Sequence, residues 1–155
     1  MLKTLRNLSL TVLAVALTLS AADPFLATWK MNPAKSKYSP GPAPKSATAT
    51  YSQDGDWIVL KADTVGADGK TTSATNRYKR DGKEYPYQNP ATGSGTIAVK
   101  SIDANTTEGT LKTGGTARTT VRTVVSKDGK SFTRTAKGTD AQGRPVNNLL
   151  VFDKQ

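Results

Sequence analysis

The chain contains neither cysteine nor histidine among its 155 residues. Without cysteine there is no disulfide, no thiol nucleophile and no thiolate site for zinc or an iron–sulfur cluster. Without histidine the usual general base at neutral pH is missing, and Ser-His-Asp and Cys-His mechanisms go with it. Together these absences remove the customary ligands of soft and borderline transition metals, so neither a metal nor a cofactor is expected. Large aliphatic residues are also scarce. Residues 23–155 hold 19 Leu, Ile, Val and Phe, fewer than the roughly 20% at which disorder becomes a concern. Acidic residues are outnumbered, 12 against 22 Lys and Arg, for a net charge of +10.

The one long apolar run lies at the start. Lys3 and Arg6 precede the stretch from Leu8 to Leu19 (LSLTVLAVALTL), and Ser20-Ala21-Ala22 follows. A positive segment, an apolar segment and small residues at −3 and −1 are the layout of a secretory signal peptide. Residues 1–22 are read as that peptide, with cleavage before Asp23, and residues 23–155 as one secreted or periplasmic domain. A membrane anchor is the weaker alternative, because spanning a bilayer takes about 20 apolar residues. No second apolar segment follows, so no transmembrane segment is expected after cleavage. An exported domain without disulfides depends on its core and hydrogen bonds alone, which suits a bacterial periplasm better than an animal fluid.

What is present in abundance is turn chemistry. Asp-Gly occurs at 54–55, 68–69, 81–82 and 128–129, and Gly114-Gly115 and Gln142-Gly143 add two more signals. Asp and Gly tolerate the positive φ of tight hairpins. Between these points lie short runs rich in Thr, Val, Ile and Tyr, which predict strands at 25–31, 46–53, 57–65, 71–79, 84–88, 95–102, 106–112, 116–126, 131–138 and 146–153. Regular short strands with turn signals indicate an all-β barrel or sandwich. The 20 Thr of residues 23–155 and seven Trp or Tyr support strands over disorder, since Thr is a strand former. A small apolar set spread over many strands suits a barrel lined partly by Thr, Ser and Ala, able to hold water or a ligand. A sandwich with a small dry core is the alternative.

One hairpin fixes its own register. If Ser126 pairs with Ser131, then Val125 faces Phe132, Thr123 faces Arg134 and Val121 faces Ala136, all on one side. That face is the more apolar and is expected to point inward, which carries Arg134 inside or to a rim. The same exercise over 57–79 is ambiguous, since both faces carry apolar and basic residues, and a bulge is expected there. Residues 32–46 hold four of the eight prolines and read as an extended connection crossing one end of a barrel.

The segment Phe25-Leu26-Ala27-Thr28-Trp29-Lys30-Met31-Asn32 resembles the opening strand of the calycin superfamily, the lipocalins and fatty-acid-binding proteins, whose Gly-x-Trp here has Ala27 in place of Gly. The stretch Thr28–Ser46 and the ending Pro145–Lys154 resemble small exported bacterial proteins of lipocalin-like type. The resemblance implies a single antiparallel up-and-down β-barrel of about 8–10 strands, with Trp29 closing one end. The carboxylate-binding Arg-x-Tyr of fatty-acid-binding proteins would fall at Leu150-Val151-Phe152, which has no Arg and no hydroxyl. Their helical lid would fall where Pro33 to Pro44 disfavours helix. If an anion enters this barrel, Arg134 is the candidate anchor, with Tyr78 and Tyr51 as donors and Trp29 as a further candidate contact.

The remaining signals are weaker. Arg77-Tyr78-Lys79-Arg80 with Tyr85 and Tyr87 is the densest basic and aromatic cluster, of the kind that forms nucleic-acid faces. Export argues against a nucleic-acid partner and leaves anionic lipid or polysaccharide as the more plausible polyanion. The carboxylates sit mainly in turns, with no pair marked as a catalytic dyad, and the protein is not expected to be an enzyme. The expectation is a monomeric, lipocalin-like binding protein that carries or scavenges a small amphipathic or hydrophobic molecule inside its barrel. The alternative is an envelope protein that binds polyanions through its basic exterior.

Overall fold

The computed structural model describes residues 22–90, 93–115 and 117–155. The expected signal peptide lies outside them except for Ala22. Ten strands follow in chain order: β1 Thr28–Met31, β2 Ser46–Asp54, β3 Trp57–Val65, β4 Thr71–Tyr78, β5 Asp81–Asn89, β6 Gly93–Asp103, β7 Thr106–Thr113, β8 Ala117–Val125, β9 Ser131–Thr139 and β10 Pro145–Lys154. They form one antiparallel sheet in the order β4-β3-β2-β1-β10-β9-β8-β7-β6-β5. All neighbours in this order are adjacent in sequence except β1 and β10, whose pairing through Trp29–Lys154, Lys30–Asp153 and Met31–Phe152 brings the first and last strands together. The result is an up-and-down barrel, closed except between β4 and β5.

The β8–β9 hairpin has the register read from the sequence: Val125 opposite Phe132, Thr123 opposite Arg134 and Val121 opposite Ala136. Its turn is held by Ser126 N donating to Ser131 O at 2.8 Å and Gly129 N to Ser126 O at 2.9 Å. Gly129 has φ +68°, which a residue without Cβ adopts at no steric cost. Gly138 is required for a different reason: a Cβ there would lie 2.0 Å from Arg118 O on the paired strand. The bulge expected within 57–79 is absent, and β3 and β4 pair without a shift. The irregularities lie instead at Asp81–Glu84 of β5 and Ser101–Asp103 of β6. In β4 the two faces are in fact distinct, with Thr71, Ser73, Thr75 and Arg77 exposed and Asn76 and Tyr78 buried.

The buried aromatic residues gather at the end of the barrel formed by the 55–56 and 126–130 turns, here called the floor. Trp29 and Phe132 are 0% and 1% exposed. Their rings meet edge to face at 4.9 Å, and Phe132 stacks on Phe152 at 4.6 Å. Trp29 Nε1 donates to Phe25 O at 2.9 Å, so the one polar atom of the indole is satisfied where water is excluded. Each such buried side chain contributes roughly 1.5–3 kcal/mol, which concentrates the stability of a chain poor in aliphatics at one end.

The proline-rich connection forms a single 3-10 turn at Pro33–Lys35 and then runs beside β10. Lys37 N donates to Leu149 O at 2.7 Å and Leu149 N to Lys37 O at 2.9 Å. Asn147 N reaches Ser39 O at 2.8 Å. The segment ends at the opposite, open end of the barrel, the mouth, where it stands with the 66–70 and 140–144 turns.

A candidate ligand cavity

Inward positions of the strands leave a cavity of about 590 Å³ that runs from Phe25 and Arg80 at the floor to Pro40 and the 140–144 turn at the mouth. This volume suits one small molecule. Leu60, Ile97, Val99, Leu111, Val121 and Leu150 supply apolar walls, and Thr107, Thr119 and Thr123 interrupt them. The sheet alternation that placed Phe132 and Ala136 inward also turns Arg134 inward, and its side chain crosses above the floor.

Arg134 is the electrostatic centre of the cavity. Its Nε donates to Thr123 Oγ1 at 3.1 Å and its Nη2 donates to the Tyr51 hydroxyl. Its guanidinium lies 5.5 Å from the centre of the Phe132 ring. Among the described residues it forms no ion pair. Burial works against the cation, but Tyr51, through charge and hydrogen bond, and then Tyr78 and Tyr87 hold it more firmly protonated than an ordinary arginine. A guanidinium offers five N–H donors, so two neutral acceptors leave it neither neutralised nor saturated. Around it Tyr78 and Tyr87 keep their phenolic protons at neutral pH. Burial, with Tyr51 adding, pushes Tyr78 well above the usual phenol range, and burial likewise raises Tyr87.

Three of the four candidate residues therefore come together: Arg134, Tyr51 and Tyr78 all line the cavity. Trp29 does not. It lies beneath the cavity, packed on Phe132 and bonded to Phe25. Two lining residues, Arg80 and Tyr87, were read from sequence as part of one outer basic cluster. Strand alternation divides that cluster. Tyr78 turns inward and Arg80, two residues on, follows it. Arg77 and Lys79 turn outward onto Trp57, at 5.3 and 5.1 Å from its ring, and pair with Asp54 at 2.6 Å and Asp56 at 3.6 Å. A period of two applied across 77–80 was the signal that would have separated them.

The fold is that of the fatty-acid-binding proteins: an all-β, antiparallel, nearly closed ten-stranded barrel. The chain is similar to a Schistosoma mansoni fatty acid binding protein solved with arachidonic acid (TM-score 0.62, 15% identity, covering 88% of this chain and 99% of that one). It is also similar to the zebrafish ileal bile acid-binding protein solved with cholic acid (TM-score 0.54, 16% identity, 85% and 99% covered). A third similar structure is As-p18, an extracellular fatty acid binding protein (TM-score 0.56, 16% identity, 86% and 97% covered). No protein-family model and no curated protein sequence matches the chain. At these identities the likeness establishes the fold alone.

Proposed function

We propose that the protein is an exported, non-catalytic carrier or scavenger of a small amphipathic acid, held with its charge against Arg134 and its apolar part along the Leu60–Ile97–Leu111–Val121 walls. The observation that carries this reading is a charged guanidinium inside the cavity with hydroxyl neighbours and, among the described residues, no carboxylate partner; the lining carboxylate Asp140 is at the mouth, paired with Arg144 at 2.7 Å. A buried cation without a counterion is costly, and an incoming anion supplies one. The solved structures of similar fold, bound to arachidonic acid and cholic acid, support the same class of cargo. The signal-peptide layout of residues 1–22 supports export.

The test is calorimetric titration with hexadecanoate and with hexadecanol, its uncharged counterpart. The acid is expected to bind about 10- to 100-fold more tightly, the worth of one charge-assisted hydrogen bond. The advantage disappears in Arg134→Met, which keeps length and bulk without charge. Equal binding of acid and alcohol, or an acid preference that survives the substitution, overturns the reading.

A second reading has its own observation. Lys45, Arg118 and Lys137 are exposed near the mouth, Lys35 and Lys37 are exposed further down beside β10, and none of the five forms an ion pair among the described residues. Such a surface attracts polyanions. Binding to anionic vesicles or acidic polysaccharide that falls steeply with added salt would favour surface attachment over internal carriage.

A further inference from the structure

Arg80 is set differently from Arg134. Its side chain is 14% exposed and its Nη1 donates to Asp23 Oδ2 at 2.5 Å. The guanidinium lies 4.6 Å from the centre of the Phe25 ring. Its Nε is buried and has no acceptor, alone in this among the buried side-chain nitrogens and oxygens of the described residues. Both Arg80 and Phe25 line the cavity.

The two arginines each rest on a floor ring, Arg80 on Phe25 and Arg134 on Phe132, and both act on the Tyr78 hydroxyl between them. Trp29 links the two residues, packing on the Phe132 ring and donating to the Phe25 carbonyl. Of the two guanidiniums that line the cavity at the floor, Arg80 has a carboxylate partner, Asp23, and Arg134 has none among the described residues. A ligand with a single negative charge balances it. Arg134 takes that charge, because Arg80 is already neutralised. What Arg80 still offers is one N–H donor, suited to an uncharged oxygen close to the charged group.

We infer that the floor recognises an additional acceptor oxygen beside the ligand's carboxylate, a hydroxyl on the second or third carbon, with Nε of Arg80 as its donor. The cargo class is then a hydroxylated amphipathic acid rather than a plain one. This deepens the carrier reading and rests on it. A buried donor without an acceptor forgoes the hydrogen bond and keeps its desolvation cost. A ligand that supplies the acceptor therefore gains about fivefold or more in affinity over one that does not.

The experiment titrates the purified exported protein with hexadecanoate, 2-hydroxyhexadecanoate and 3-hydroxyhexadecanoate. It is then repeated on Arg80→Lys, which keeps the cation for Asp23 and removes Nε. At least one hydroxy acid is expected to bind about fivefold or more tightly than hexadecanoate to the native chain. That preference, read as the ratio of hydroxy-acid to hexadecanoate affinity within each chain, is expected to vanish in Arg80→Lys. Hydroxy acids that bind the native chain no better than hexadecanoate overturn the inference and leave the carrier reading standing. A preference that survives Arg80→Lys also overturns it, since another donor then reads the hydroxyl. Failure of all three acids to bind instead rejects the carrier reading itself.

Discussion

The two ends of this barrel are built from different materials. At the floor, Trp29, Phe132 and Phe152 pack ring against ring, and Arg77, Lys79 and Arg80 each meet a carboxylate. At the mouth stand a proline-rich segment, an exposed 140–144 turn, and Lys45 and Lys137, which have no ionic partner among the described residues. The contrast explains how a chain with so few aliphatic residues folds without disulfides. Its largest apolar groups, the rings of Phe25, Trp29, Phe132 and Phe152, are not spread evenly down the barrel but pooled at the floor. The strands above the floor are then held by ladder hydrogen bonds, and their inward side chains are free to line a space instead of filling it.

The sharpest way to break this comparison is to remove one large group from each end. Trp29→Ala should cost about 3–5 kcal/mol, the range for emptying a fully packed aromatic site, and Arg144→Ala at the mouth no more than about 0.5 kcal/mol. Urea unfolding of the two variants decides it, and equal costs would mean that stability is not pooled at the floor. Next in size is the gap between β4 and β5. Asn76, 4% exposed, donates through Nδ2 to Gln88 O at 3.1 Å and accepts from Gln88 N at 2.8 Å. Asn76→Ala leaves both Gln88 groups unpaired and should cost about 1–3 kcal/mol, with faster amide exchange at Gln88.

The smallest expected effect is on alkaline stability. Tyr78 and Tyr87 are raised above the ordinary phenol value chiefly by burial, and Tyr38 near the proline segment is raised by burial as well. Groups raised on folding hold their protons longer in the native state. Their contribution is complete below about pH 10 and is lost as pH rises through the raised values. Unfolding free energy should therefore fall above about pH 10, and less so in Tyr78→Phe. An unchanged slope in that variant would show that Tyr78 ionises as freely in the folded chain as in the unfolded one.

Much of this architecture was legible in the sequence because hairpins are local. Gly55, Gly69, Gly129 and Gly143 all have positive φ, and each marks a turn that the Asp-Gly or Gln-Gly pair announced. The inward course of Arg134 followed from one hairpin register. The closure of β1 on β10 was legible only by resemblance, since it joins residues more than a hundred positions apart. Arg80 was missed because a run of charge and aromatics was read as one surface, when the backbone divides it side by side. Trp29 was placed at the barrel's end correctly, but packing against Phe132 takes it out of the cavity, and no pattern in its own strand reveals which neighbour will cover it.

The Asn76 bridge has a wider consequence. Every other strand of the sheet has a hydrogen-bonded neighbour on both sides, whereas β4 and β5 have one each. The side-chain amide of Asn76, acting as a stand-in for a peptide group, bridges two otherwise bare margins, with the Trp57–Tyr85 ring contact spanning the same gap. Bare margins are templates for adding a strand from another molecule. Loss of that amide would therefore be felt in crowded solution as a change of state, with barrels joining edge to edge, before it was felt in dilute solution as a loss of fold.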